Sequence, residues 1–413
     1  MAGLNGLMAS LPDEVWRAVN EFVGDKSVDG WGFVRMMVMD VPVTNVKVGR
    51  VNTMPLGILK PVVNRHVWLR SISFAYSALD FQQINAIAAM IEDNTSLVRL
   101  SLQACRLADV DMCVLSGAIR KNKSLTYVDF SQNEVGSFAF AQICIMMKEN
   151  KVLETVVANC LLSPPNTVLE PSYIGDVLGG DCTLKSLDWD NGEFGPKMGL
   201  MIGRALAVNI SLVQLNLSFN ELSCEGGCAM GMMLQTNRTL KRLDLSNCGL
   251  TNTCGCSIAK GLEQNSSLLK LNLGYNRIGQ RGGEELGHAL QSSCLDDLNL
   301  VGNGLGQVGG AAIALALVTN KYLRVLKLCM NSFGREVGPA IGEALKANST
   351  LQVITLARNN LCIQGARPIG KALENNQTIK VVDLSANNIA KEKQDFSGYL
   401  KDAKHPALIK WFQ

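Results

Sequence analysis

Histidine is almost missing from this chain: three among 413 residues, His66, His288 and His405. None falls on a predicted strand surface, so a Ser/His/Asp or Cys/His arrangement has no local support and no catalytic role is expected. An excess of one charge is missing too. The 39 basic and 36 acidic side chains nearly cancel, and neither sign forms a long run. Nucleic acid or an anionic membrane surface as main partner would need a basic stripe, and both are set aside. No segment reaches the ~18 consecutive apolar residues of a membrane span. The opening MAGLNGLMASLPDEVW has no basic stretch followed by an apolar core, so it does not read as a secretory signal. A soluble chain, cytoplasmic or nuclear, is expected, with no cofactor and no small-molecule substrate.

What is present is repetition. The pattern L-x-x-L-x-L-x-x-N-x-L recurs twelve times between Leu69 and Ile389, nearly always 28 residues apart. Its first positions are Leu69, Leu97, Leu125, Leu153, Leu184, Leu212, Leu240, Leu268, Leu295, Leu323, Leu351 and Ile379. The spacing slips to 31 residues between Leu153 and Leu184, and to 27 between Leu268 and Leu295. A unit this short cannot bury its own apolar face, so neighbours must stack into a solenoid. Over residues 69–389 the motif resembles that of the leucine-rich repeat family, specifically its ribonuclease-inhibitor-like cytosolic branch. The resemblance implies an α/β solenoid, a horseshoe of about twelve strand–helix repeats with parallel strands on the concave face and helices on the convex face. Residues 1–68 and 390–413 lack the repeat and are expected to cap one continuous array. The C-terminal piece closes on Ile409, Trp411 and Phe412.

Within the repeat Leu240–Ser267, the leucines 240, 243, 245 and 250 form an inward wedge, while Arg242, Asp244 and Ser246 alternate with them as a short strand requires. A helix is predicted from Thr253 onward, with Ile258, Ala259 and Leu262 facing the core. The slot at Cys248 closes the turn that leaves the strand. Its equivalents Asn133, Asn220, Asn276, Asn303, Asn331, Asn359 and Asn387 are expected to stack as a ladder, with Cys105 holding a thiol in the same place. An odd count of 13 cysteines without a paired framework fits free thiols in a reducing compartment. Asn-x-Ser/Thr at Asn94, Asn122, Asn237, Asn265, Asn348 and Asn376 keeps one fixed phase before the next strand, so it reads as turn chemistry and not as glycosylation sites. Gly226-Gly227, Gly282-Gly283 and Gly309-Gly310 are read as backbone requirements of tight turns. Cys224, Cys228, Cys254 and Cys256 mimic metal spacing without the C-x-x-C form and are read as packing, with no metal site expected.

Regularity fails around the fourth repeat. Leu161 and Gly192 occupy the asparagine slot there, which should interrupt the ladder, and the extra residues surround Pro164-Pro165, a loop that could carry specificity. Ala158 stands in the wedge where Trp189 stands one repeat later, a small residue beside a large one. On the strand surface, the early repeats present Arg99, Gln103, Tyr127, Asp129 and Ser131. Asp188 and Asp190 with Asn191 and Glu193 make an acidic zone, too poor in ligands for a dedicated cation site. The late repeats turn apolar at Val301, Val325, Cys329, Met330, Val353 and Ala357, flanked by Lys327 and Arg358. Apolar side chains at solvent positions point to a protein contact.

The reading these residues favour is a non-catalytic scaffold that holds a protein partner on its concave face, in the cytoplasm, the nucleus, or a cytoskeletal or ciliary assembly. Oligomeric state is left open. Two alternatives arise from resemblance. Leu11-Pro12-Asp13-Glu14-Val15, followed by Val19, Phe22 and Val23, is similar to the first half of an F-box, which would imply a substrate receptor of a ubiquitin ligase; helix capping at Ser10 explains the same letters. The repeats are also similar to those of the GTPase activator of Ran, although the acidic tail of that family is absent from Lys391–Gln413.

Overall fold

The computed structural model describes residues 44–48, 59–134, 136–161, 169–389 and 408–410. The F-box-like segment, Pro164-Pro165 and most of the C-terminal piece lie outside them. Two compact units divide the chain, Met1–Glu193 and Phe194–Gln413. The division falls directly after the repeats whose slots hold Leu161 and Gly192.

Among the described residues the first unit contains six short strands, β1 (Asn45–Lys47), β2 (Ser71–Ser73), β3 (Arg99–Ser101), β4 (Tyr127–Asp129), β5 (Thr155–Val157) and β6 (Ser186–Asp188), each parallel to the next. Helices α1 (Leu59–Arg65), α2 (Phe81–Asp93), α3 (Asp109–Lys121), α4 (Ser137–Glu149) and α5 (Pro171–Gly179) alternate with them. A strand and helix therefore precede Leu69, within the piece expected to be a cap, and Val46, Leu59 and Val63 are buried there. The second unit begins with α6 (Pro196–Leu206). It continues through β7 (Gln214–Asn216), α7 (Ser223–Thr236), β8 (Arg242–Asp244), α8 (Asn252–Gln264), β9 (Lys270–Asn272), α9 (Gly279–Leu290) and β10 (Asp297–Asn299). It ends with α10 (Gly306–Thr319), β11 (Val325–Lys327), α11 (Val337–Ala347), β12 (Val353–Thr355), α12 (Cys362–Leu373), β13 (Val381–Asp383) and β14 (Leu408–Lys410). Its strands are also parallel and in chain order. Each unit is an α/β solenoid, as the repeat requires.

Every repeat strand is three residues long, with its middle residue inward, for example Leu243, Leu271 and Leu298. So short a strand cannot hold its place by sheet bonds alone. The slot asparagine supplies the rest. Asn331 donates from Nδ2 to the carbonyls of Leu300 and Leu328, and its Oδ1 accepts the N–H groups of Asn303 and Leu305 in the preceding repeat. Asn133, Asn276 and Asn387 repeat this set. In Cys105 and Cys248 the thiol donates to the carbonyls of Phe74 and Leu217, reproducing the amide's cross-repeat bond. Leu161 is buried and has no polar group to offer; nearby, Asn159 Oδ1 accepts the Asp190 N–H and Ser131 Oγ accepts the Asn159 N–H. Trp189 fills the space beside Ala158 and packs on Phe140 at 5.3 Å between ring centres.

A second ladder runs along the helix ends. Asn122 donates to the carbonyls of Ile91 and Asn94 while accepting from Ser124 and Leu125 N–H. Asn237, Asn265, Asn348 and Asn376 do the same in the second unit. All are buried with both ends of the amide engaged, so the Asn-x-Ser/Thr sequons are turn chemistry.

The paired glycines are not in turns. Gly226-Gly227, Gly282-Gly283 and Gly309-Gly310 lie inside α7, α9 and α10. A Cβ on Gly283 would stand 3.1 Å from the Gly309 Cα, and one on Gly226 3.1 Å from the Gly199 Cα. Adjacent helices are held so close that side chains at these points are excluded; close approach, not a turn, requires glycine here.

This separates two superficially similar substitutions. At Gly231 of α7 a Cβ would meet the Ser257 carbonyl carbon at 2.4 Å, whereas at Gly117 of α3 nothing lies within 4 Å. Gly117→Ala is expected to stabilise by about 0.5–1 kcal/mol through helix propensity. Gly231→Ala should lose about 1–2 kcal/mol net, because the overpacking strain exceeds that gain. Urea midpoints of the two variants, moving in opposite directions, check this. Burial pushes the Cys105 thiol from 9.0 up to about 12. Since the folded value is raised, its stabilising contribution is intact below pH 9 and is lost as pH rises from about 9 to about 12. Cys105→Asn should flatten the alkaline fall in unfolding midpoint over that window.

Candidate interaction face

The parallel register of the second unit turns the outward strand residues into continuous rows. From β7 to β13 the first row runs Gln214, Arg242, Lys270, Asp297, Val325, Val353, Val381. Its last three members are valines on adjacent strands, half-exposed and side by side. The second row is Asn216, Asp244, Asn272, Asn299, Lys327, Thr355, Asp383, in the same register. Most of this second row is already committed to its own loops: Asn216, Asp244, Asn272, Asn299 and Asp383 each accept the backbone N–H two residues on. Lys327 and Thr355 depart from that pattern, at the strands that carry the valines.

Beyond the strands, Val301, Cys329 and Ala357 are half-exposed, and Met330 and Arg358 are exposed. Phe219, Tyr275, Met330 and Arg358 share one phase of the repeat and all adopt positive φ, between 56° and 60°. The turn around the slot asparagine demands that conformation, so these side chains are aimed outward whatever their chemistry. Phe219, Tyr275 and Met330 are 54%, 56% and 41% exposed, large apolar groups spaced along one edge of the unit.

A groove of about 530 Å³ adjoins the first row at the entry to the strands. Lys241, Arg242, Lys270, Lys321 and Arg324 line it, against one carboxylate, Asp296, which pairs with Arg324 at 3.2 Å. Lys270 also lies 3.9 Å from Asp297. The groove therefore carries a local positive excess in a chain that is nearly neutral overall. Composition could not reveal it; the signal was the recurrence of Lys or Arg at or just before the strand in successive repeats.

In the first unit, the Arg99 guanidinium lies 4.0 Å over the Tyr127 ring. Burial, reinforced by Asp129, raises the Tyr127 phenol above its ordinary range against the opposing pull of Arg99. Asp129 is bonded to the Ser131 N–H and the Ser101 hydroxyl, and Ser131 itself is buried. Asp188 stands in register beside Val157, and Asp190 uses its backbone to join Asn159 and Cys160. Among the described histidines, His66 is buried at the end of α1 and His288 is on α9; neither reaches the strand face. Three of the four cysteines with metal-like spacing, Cys224, Cys228 and Cys254, do come together.

A family model described as Leucine Rich repeat matches residues 208–231, 236–253, 264–287 and 291–314. No curated protein matches. Among solved structures, the chain is similar to the complex of Rad7 and Elc1 in yeast at 16% identity and a TM-score of 0.50, covering 92% of this chain and 88% of that one. It is also similar to a TLR13–ssRNA13 complex at 16% identity and a TM-score of 0.45, where it covers 89% of this chain and 52% of the other. At 16% identity the likeness to the Rad7 and Elc1 complex is one of fold alone.

Because Met330 pays a left-handed backbone cost that glycine does not, Met330→Gly should stabilise the protein by about 1 kcal/mol while removing the exposed side chain. A rise in the urea midpoint would show it.

Proposed function

The chain is a leucine-rich repeat protein, and on that premise we propose that it is a non-catalytic scaffold gripping a protein partner on the solvent face of its second unit. The observation that carries this reading is the register of Val325, Val353 and Val381, an unbroken apolar row beside the cationic groove. Apolar area on a rigid sheet provides binding free energy with little ordering cost. The cations next to it favour a partner segment that is acidic and bears aliphatic or aromatic anchors, steering its approach. Val301, Cys329, Met330, Lys327 and Arg358 extend the contact. Tyr127, Asp129, Asp188 and Asp190 offer a more polar contact surface in the first unit, and Pro164-Pro165, outside the described residues, is proposed to contribute to specificity. No helix among the described residues is long and apolar enough to cross a membrane; the proposed location of the scaffold is the cytoplasm or nucleus.

The test is affinity purification of the tagged chain from its native cells, with Val325→Lys/Val353→Lys and Leu11→Ala/Pro12→Ala variants in parallel. The valine pair alternates with buried Leu326 and Ile354, so the double variant should stay folded by circular dichroism. It should lose its main partner at least tenfold in recovery, and unchanged recovery would remove this face from the reading. Loss of a Skp1-type adaptor specific to the Leu11/Pro12 variant would favour the ligase receptor instead.

A further inference from the structure

The first turns of α7 and α8 face each other across one repeat pitch. Cys224 and Cys228 stand one helical turn apart on α7, and Cys254 is the third residue of α8. Their three sulfur atoms all lie within 4.8 Å of one another, with Cys224 and Cys228 Sγ 3.9 Å apart. Cys254 is buried, Cys228 half-buried and Cys224 exposed, so the cluster opens to solvent on one side. All thirteen cysteines are free thiols. Cys256, two residues beyond Cys254, lies outside the group.

We propose that Cys224, Cys228 and Cys254 form a three-thiolate site for zinc, with a fourth coordination position open to solvent. The spacing fits the chemistry. Four-coordinate zinc holds thiolates at about 2.3 Å, which places tetrahedral sulfur atoms roughly 3.8 Å from one another. One pair is already at that separation, and the others need less than about 1 Å of closure by the same measure. The donor set is all sulfur, without carboxylate or imidazole, which selects a soft d10 ion over magnesium or calcium.

Two further features point to the same place. Gly227 packs over the cluster: a Cβ there would stand 2.8 Å from Cys254 Sγ, so this glycine leaves the sulfur room to move toward its partners. The charge also fits. Zinc displaces three protons from three thiols and leaves a complex of net charge −1. That anion would lie near the N-terminal ends of α7 and α8, where the helix dipole favours negative charge and works against the burial that raises the Cys228 and Cys254 thiols. The open position faces the side of exposed Cys224 and would take water or a ligand atom from outside.

The full chain, freed of metal and kept reduced, is titrated with Co²⁺ as a spectroscopic probe and then with Zn²⁺. The expected result is one equivalent of Co²⁺ bound with a thiolate-to-cobalt charge-transfer band and intense tetrahedral d–d absorption, both abolished by stoichiometric zinc. Cys224→Ser, at an exposed position that should not affect folding, and Cys228→Ser should each abolish the charge-transfer band or weaken Co²⁺ binding at least tenfold. Cys256→Ser should leave the spectrum unchanged. Affinity should rise with pH, because protons are displaced. Absence of one-equivalent binding, or a spectrum that survives Cys224→Ser and Cys228→Ser in folded protein, would overturn the site. Spectra lost equally in Cys256→Ser would overturn the assignment of ligands.

Discussion

The structure depends on one buried amide. Each slot asparagine joins its own turn to the turn of the preceding repeat, giving from Nδ2 and receiving at Oδ1. A three-residue strand contributes few sheet bonds, and the chain then leaves it in a sharp turn whose backbone groups would be buried without partners. The asparagine meets both demands at once. It also forces the flanking residues into left-handed backbone, as at Ala386 and Asn388 or Met330 and Ser332. Where a residue cannot avoid pointing outward, selection can act on its chemistry, and the exposed Phe219, Tyr275 and Met330 are side chains of that kind.

The same bond explains what the irregular repeats do. A thiol at Cys105 or Cys248 keeps the long-range half of the interaction by donating to a carbonyl, which holds only while the sulfur keeps its proton. Burial raises the Cys105 value, keeping it protonated. Leu161 keeps neither half, and other cross-repeat bonds, through Asn159 and Ser131, take over. The chain divides into its two compact units just after this stretch, so the repeats poorest in the ladder asparagine adjoin the division.

On the helix side the constraint is distance. A repeat sets strand spacing at the sheet, and the helices must fit behind it. Glycine and alanine at Gly199, Gly226, Gly255, Gly283 and Ala312 let helix backbones come nearly into contact. The space left where Gly227 faces Cys254 allows three sulfur atoms to gather without clash. The proposed zinc site is thus a product of helix packing, while the proposed docking face is a product of strand register, and the two lie on different surfaces of the repeat.

The sequence alone determined the repeat, its phase, the inward leucines, the slot ladder and the sequon turns, because each is set by residues within one period and repeats without exception or with visible exceptions. It also picked out Val325, Val353 and Met330 as solvent-side apolar residues. Three things it did not determine. The strand and helix before Leu69 carry valines in place of the leucine signature, so their apolar pattern was too short to register. The paired glycines were assigned to turns because a glycine pair looks the same in a turn as at a helix contact, and only the neighbouring helix tells them apart. The alignment of Val325 with Val353 and Val381, the gathering of Lys241, Lys270, Lys321 and Arg324 at one groove, and the meeting of Cys224, Cys228 and Cys254 all join residues a repeat or more apart. Such proximity is fixed by how repeats stack, a property of tertiary structure that no single period contains.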